Sequence, residues 1–458
     1  MSNQAKFDFL REKFAFFCFQ NYEYFWEDGN FFAKFNFSLE NNSSEICNPI
    51  EFHPCFEIPS RQFYDWRSIP KKVLDVVVFN IGMIELVSYW KIACPKKVVI
   101  KPYHLDNEQI RWWKKLYFNG LGEFFYVNGI DTDFDDFMTL TSDSDRLASS
   151  DDVGFVFDEK TLVPVGGGKD SVVTLEALRK KIAVIPLIIN PRGATRDCVK
   201  AAGFDENGVA VIKRTLDPTM LEMNKQGYLN GHTPFSAMLA FYTVLIGFAT
   251  KNKYIALSNE SSANEPTVPD TEINHQYSKS IAFENDFRNY VSKYINADIQ
   301  YFSFLRPLNE IQIAKLFSKA EAYHDVFRSC NAGSKTDSWC GKCPKCLFTW
   351  LALSPFISRA RLTGIFGKDL LKDKELASTL RKLDGTAEVK PFECVGTVDE
   401  VRACVNYCIQ NADNLKDTIV EDAVLTQGAT VKDFICQFDS QHNLPFLFEK
   451  ILKEELYG

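Results

Sequence analysis

LVPVGGGKDSVVTLEAL, residues 162–178, is the stretch that decides the fold. Leu162, Val163 and Val165 read as the end of a buried strand, glycines occupy 166–168, and residues 172–178 have the composition of a helix. A strand that runs through glycines straight into a helix presents main-chain amides to whatever lies above it. Glycine lets the backbone come this close to an anion, and the helix N-terminus adds partial positive charge, so the expected occupant is a phosphate. The spacing is neither the GxxxxGK[ST] of a Walker-type loop nor the GxGxxG of dinucleotide folds. The plain alternative is a glycine turn that binds nothing.

Downstream, apolar and helical segments alternate: a strand at 182–189, a helix at 195–202, a strand at 209–212, a long helix at 235–249 and a strand at 254–258. Strands joined through helices need crossover connections and so form a mostly parallel sheet, whose ligands sit beyond the carboxyl ends of the strands. That rule places Asn190, just past the second strand, on the same rim as the glycines. It also places there the polar run Asn259, Glu260, Ser261 and Ser262, for which an ordinary turn is the plain alternative. Upstream, residues 1–130 mix alternating aromatic segments such as 31–37 with apolar runs at 73–81 and 97–100, the pattern of an α+β or α/β unit. Eight of residues 131–152 are Asp, interleaved with Ser and Thr, a composition that solvates well and packs poorly and is read as a boundary. The expected organisation is an α+β domain over 1–150, a phosphate-binding α/β domain over 151–329 and a helical region over 330–458.

Cys330, Cys340, Cys343 and Cys346 form C-x9-C-x2-C-x2-C. Four thiolates so close in sequence suit a tetrahedral, structural Zn²⁺, with a four-cysteine iron–sulfur cluster as the alternative. The thirteen cysteines are an odd number, and MSNQAKFDFLREKF is polar, with no positively charged region followed by the apolar core of an export signal. Reduced thiols and a cytoplasmic location follow as expectations. The apolar stretch 235–249 is too short to span a bilayer, so no membrane insertion is expected. A net charge of -8 disfavours a nucleic-acid partner, whose binding leans on clustered Lys and Arg. Forty Phe residues, spread along the chain, fit a core built on phenylalanine.

Position by position the loop resembles the SGGxDS loop of PP-loop ATP pyrophosphatases, with Gly166 where that family usually has Ser. The resemblance implies a PP-loop (adenine nucleotide alpha hydrolase-like) parallel sheet core. It implies ATP held on Gly166, Gly167 and Gly168, with Lys169 and Ser171 on phosphate, Asp170 on Mg²⁺ or pyrophosphate and Asn190 at the adenine edge. The implied chemistry is transfer of AMP to an acidic substrate with release of pyrophosphate. A similar four-cysteine block, with structural zinc, follows the loop domain in 7-cyano-7-deazaguanine synthases, which lack the long first domain. Together with NGHTPFSAMLAF at 230–241, SNESSANEPTV at 258–268 and SCNAGSKTDSWCGKCPKCLFTWLALSPF at 329–356, the chain resembles the UDP-N-acetylmuramoyl-L-alanyl-L-glutamate epimerase family, MurL, over about residues 155–356.

That second resemblance implies inversion of the terminal L-Glu of a UDP-linked muramoyl dipeptide with ATP and Mg²⁺, downstream of the ligase that adds the L-Glu. Inversion needs a proton taken from one face and delivered to the other, hence two acid/base groups or one that reaches both. His232 and His275 flank the expected rim and are the candidates, counted with Asp170 as catalytic; each is equally readable as a hydrogen-bonding loop residue. Cys198 and Lys279 are weaker choices, and burial in a helix is the expected fate of Cys198. Arg192, Arg196, Lys279 and Arg288 are available as clamps for carboxylate or diphosphate. Two other readings remain open at this level: amide, nitrile or tRNA-thiolation chemistry through the same adenylate, and a zinc-stapled binding protein with a degenerate loop.

Overall fold

The computed structural model describes residues 2–42, 48–268, 271–387, 389–411, 415–421 and 427–458. Its strands are β1 (Phe14–Glu27), β2 (Asn30–Asn41), β3 (Ile50–Phe52), β4 (Cys55–Ile58), β5 (Lys97–Ile100), β6 (Thr139–Ser142), β7 (Asp158–Pro164), β8 (Val184–Ile189), β9 (Ala210–Thr215), β10 (Asn252–Leu257) and β11 (Gln300–Ser303). The contacts divide the chain into two compact units.

The first unit comprises Met1–Glu159, Ala210–Ile255 and Ala282–Gln300. Its sheet starts from the β1–β2 hairpin, turned by Asp28 and Gly29 at φ 49° and 79°, the two left-handed positions that a tight hairpin turn requires. Strand order is β9-β4-β2-β1-β5-β6, with β3 on β2. β5 runs parallel to β1 and to β6, whereas β2, β4 and β9 pair antiparallel, so the sheet is mixed. One face stacks Phe17, Phe19, Phe35, Phe37 and Phe52 against Phe79 and Tyr89 of the helix Lys71–Trp90. Gly82 of that helix is required by the approach, because a Cβ there would collide with the Phe19 and Phe35 rings. The phenylalanine content is thus core material, as the composition suggested.

Lys71–Trp90 is the longest apolar helix among the described residues, longer than Phe235–Thr250, and passes the length and hydropathy test for a membrane span. Its most apolar stretch is 94% buried, which makes it the core helix of this unit. Phe235–Thr250 packs on it, and the buried Glu85 between them is held by Arg214 (2.5 and 2.6 Å) and the Tyr242 hydroxyl (3.1 Å). The Asp-rich stretch lies within the first unit, whose opening segment runs to Glu159. Its middle, Thr139–Ser142, pairs with β5 as β6, so this acidic run is partly ordered by main-chain hydrogen bonds that its composition does not reveal.

The second unit comprises Lys160–Val209, Ala256–Ile281 and Tyr301–Gly458, with strand order β11-β10-β7-β8. β7 and β8 are parallel, Thr161 opposite Val184 and Pro164 opposite Leu187, and the helix Lys169–Arg179 makes the crossover. The helices Glu310–Ser318, Pro344–Leu353 and Val398–Asn411 pack on one another in the same unit. The strand and helix expected at 209–212 and 235–249 do form, but they belong to the first unit, where β9 finds β4. Local periodicity gives an element's type and says nothing of its partner.

Candidate active site

The loop forms as the sequence suggests: β7 ends at Pro164 and the helix starts at Lys169. Gly167 has φ 79°, and a Cβ there would lie 2.9 Å from the main-chain carbon of Ala194, so only glycine fits. Gly166 is exposed with nothing within 4 Å of its would-be Cβ. Gly168 caps the helix without a side-chain bond, and the Ser329 hydroxyl accepts from the Lys169 amide at 3.2 Å. The amides of Gly166, Gly167, Gly168, Asp170 and Ser171 find no acceptor among the described residues. Five donors without acceptors at and just before the N-terminus of an eleven-residue helix suit an anion.

Behind this amide cradle runs a chain of buried charge. The Lys169 side chain turns inward and bridges Asp170 and Glu310. Burial alone would lower its pKa, but the two carboxylates outweigh that and keep it a cation. Asp170 remains partly exposed beside the cradle. Glu310 also receives Glu400, whose Oε1 accepts from the Glu310 amide at 2.6 Å.

On the polar patch after β10, the wholly buried Arg306 donates to the main-chain oxygens of Glu260 (2.6 Å) and Lys279 and to Ser303 Oγ (3.3 Å). Asn259 donates to Ser303 (2.9 Å), Ser261 is tied through its amide to Leu308, and Ser262 sits 3.4 Å from the Glu260 carboxylate. Burial pushes the Glu260 carboxyl up, while Lys279 and Lys169 pull it down. Oxygen donors of this kind, Asp170 and Glu260 above all, suit a hard divalent cation such as Mg²⁺.

Past the patch, Lys279 Nζ donates to Cys394 Sγ at 3.1 Å, and the His275 ring hydrogen-bonds the same sulfur. Lys279, Asp170, Lys169 and Cys394 all act electrostatically on Glu260, so the thiol belongs to the same charged cluster as the cradle. Cys394, Glu310 and Arg306 were not legible as site residues. Each becomes one only when Lys279, Lys169 and Glu260, distant in sequence, fold against it.

Cys330, Cys340, Cys343 and Cys346 converge, with all four Sγ atoms within 4.8 Å of one another and three separations of 3.5, 3.7 and 3.9 Å. A tetrahedral Zn²⁺ with Zn–S of about 2.3 Å sets its sulfurs about 3.8 Å apart, so the donor set fits that ion. Amides of Gly333 and Cys340 point at Cys330 Sγ, and those of Lys342 and Cys343 at Cys340 Sγ, donors that stabilise thiolates. The segment also reaches the loop. Ser329, next to Cys330, bonds Lys169, and Asp337 accepts from the Ala194 amide at 2.7 Å at the start of the helix Gly193–Ala201.

The remaining expected residues fall in several places. Asn190 is exposed just past β8 with φ 49°. Cys198 is buried in its helix, where burial pushes its thiol up to about 12. Arg192 and Arg196 are exposed in the second unit. His232, paired with Glu123 at 3.2 Å, and Arg288 belong to the first unit.

The sequence profile of the MurL N-terminal domain matches residues 8–304, and that of the MurL C-terminal domain matches residues 326–433. The chain belongs to the MurL family. It is 36% identical over 352 residues to the UDP-N-acetyl-alpha-D-muramoyl-L-alanyl-L-glutamate epimerase of Xanthomonas oryzae pv. oryzae, covering 74% of this chain and 76% of that one. The proteins of that name from Salinispora tropica and a Micromonospora species are each 36% identical, over 71% of this chain and 72% and 74% of theirs. No solved structure matches. The MurL profiles together take in the cradle, the polar patch, the four cysteines and Cys394. Like its relatives, this MurL-family chain is an isomerase.

Proposed function

We propose that this chain inverts the terminal L-Glu of UDP-MurNAc-L-Ala-L-Glu to D-Glu in cytoplasmic peptidoglycan precursor synthesis, consuming ATP to AMP and pyrophosphate through an acyl-adenylate. The names of three relatives covering over 70% of the chain support the substrate. The row of unpaired loop amides supports ATP, because a helix start left without acceptors is stabilised by a phosphate.

The chemistry gives that phosphate a purpose. An α-proton beside a free carboxylate is hard to remove, since the product is a dianion. In an acyl-adenylate the carbonyl is neutral, and the enolate it forms can be held by donors or a cation. In this reading Gly166, Gly167, Gly168 and Ser171 grip the phosphates, and Asp170 with Glu260 holds Mg²⁺. Asn190, exposed past β8, reads the adenine edge. The patch Asn259, Ser261 and Ser262 lines the rim, and the ligase that adds L-Glu supplies the substrate. Zn²⁺ at the four cysteines is structural.

The test is purified protein with Mg·ATP and the L-Glu precursor, followed by chiral analysis and assay of AMP and pyrophosphate. D-Glu formed only with ATP supports the proposal. AMP release that requires added ammonium, with no D-Glu, overturns it in favour of ligase chemistry.

A further inference from the structure

The segment carrying Cys394 is pinned on both sides of the thiol. Lys390 bridges Glu265 and the Gly396 carbonyl, the Glu393 carboxylate accepts from the Lys345 amide at 3.1 Å, and the Thr397 amide donates to Glu400 at 2.6 Å. Among the described thiols outside the metal set, Cys18, Cys94, Cys198, Cys404 and Cys408 are buried, Cys55 and Cys394 are half-buried and Cys436 is exposed; of these three, Cys394 is the one held by a lysine and a histidine. An ammonium 3.1 Å from the sulfur and an imidazole on the same atom are a costly arrangement for a packing residue.

The groups facing Cys394 are Lys279, Lys345 and His275, with Glu393 adjacent in the chain. Burial raises the thiol's pKa, but the three basic groups outweigh it, so the thiolate is favoured well below the ordinary range. Lys279, despite its own burial, is held as a cation by Cys394 and Glu260 and so cannot itself accept a proton.

We propose that Cys394 is a catalytic residue, the base that removes the α-proton of the activated glutamate on one face, with Lys279 and His275 positioning it. This rests on the function proposed above. The Cα–H bond breaks, its electron pair enters the enolate of the acyl group, and an S–H bond forms. A second acid on the opposite face then gives its proton to Cα as the enolate collapses, closing a new C–H bond. Both groups return to their starting states by proton exchange with water, and no redox partner is needed.

The experiment follows α-proton exchange of the L-Glu precursor in D₂O by proton NMR, together with pyrophosphate release, in the parent enzyme, C394S and K279M. In C394S the serine hydroxyl stays protonated at neutral pH, so exchange should fall by at least about 100-fold, the scale of a lost general base, and by far more than pyrophosphate release. Exchange at the parent rate, or the same fold-loss in both readouts, overturns the assignment. A second readout needs no turnover. Iodoacetamide at pH 6.5 should label Cys394 ahead of the exposed Cys436, more slowly in K279M or with substrate bound, and equal labelling of the two counts against it. A parent that forms no D-Glu removes the function and this assignment together, while a working parent beside an unimpaired C394S removes only the assignment.

Discussion

Gly166 and Gly167 are adjacent and look interchangeable, yet their surroundings demand opposite outcomes. At Gly167 a side chain would force a left-handed residue costing about 1–2 kcal/mol and press 2.9 Å against Ala194, so G167A should lose thermal stability and weaken ATP binding at least about tenfold. At Gly166 the space is open, and G166S, which adds a hydroxyl beside the proposed phosphate site, should leave the melting temperature unchanged and tighten ATP binding. Calorimetry and thermal melts on the pair decide it; a tolerated G167A would mean the loop is not seated as described.

Lys169 carries a second residue-level test. K169M strands buried Glu310 without its cation and should cost about 3–5 kcal/mol, whereas K169M with E310Q should recover a large part of that loss in denaturant melts. The loop's place was legible because glycine, Asp170 and Ser171 state their role locally. The sequence offers Lys169 as a phosphate ligand, and nothing in its neighbours points to Glu310, 141 positions away, with which it pairs in the fold.

At the scale of elements, the four-cysteine segment acts on the loop through Ser329 and Asp337. C343A should therefore lose both bound zinc, by atomic absorption, and ATP affinity, and a variant that loses the metal yet binds ATP as the parent does would show that the two are uncoupled. The helix Lys71–Trp90 makes a pH-dependent prediction. Its C-cap Lys91 is buried, and desolvation pulls its pKa from 10.5 to about 8.

Below pH 8 the folded and unfolded chains both carry the proton, and the fold bears the whole cost of burying the charge, ~3 kcal/mol at most. Between pH 8 and 10.5 the folded chain has released a proton that the unfolded chain keeps, so stability rises with pH; above 10.5 the cost is gone. K91M should melt above the parent at pH 7, and the gap should narrow by pH 10. A gap independent of pH would mean the lysine is hydrated in the fold. Elements of this kind were readable from periodicity, including the helices at 195–202 and 235–249. The loop bearing Cys394 was not, since a turn between helices has no period and one cysteine among thirteen carries no mark.

For the whole molecule, sequence order and packing order differ. A cut at residue 150, where acidic residues invite one, would leave a fragment that lacks three partners of its own unit: β9, which pairs with β4; Phe235–Thr250, which covers Lys71–Trp90; and Ile281–Tyr294, whose Tyr290 takes the hydrogen bond of Trp113. The twenty-residue apolar helix would then face water, at roughly 25 cal/mol for each Å² uncovered. A fragment of residues 1–150 should therefore aggregate or melt without cooperativity, while residues 1–304, which restore all three partners, should show a cooperative thermal transition and bury Trp113 as judged by fluorescence. A well-dispersed spectrum and a cooperative melt from 1–150 alone would mean that the first unit closes without its late segments.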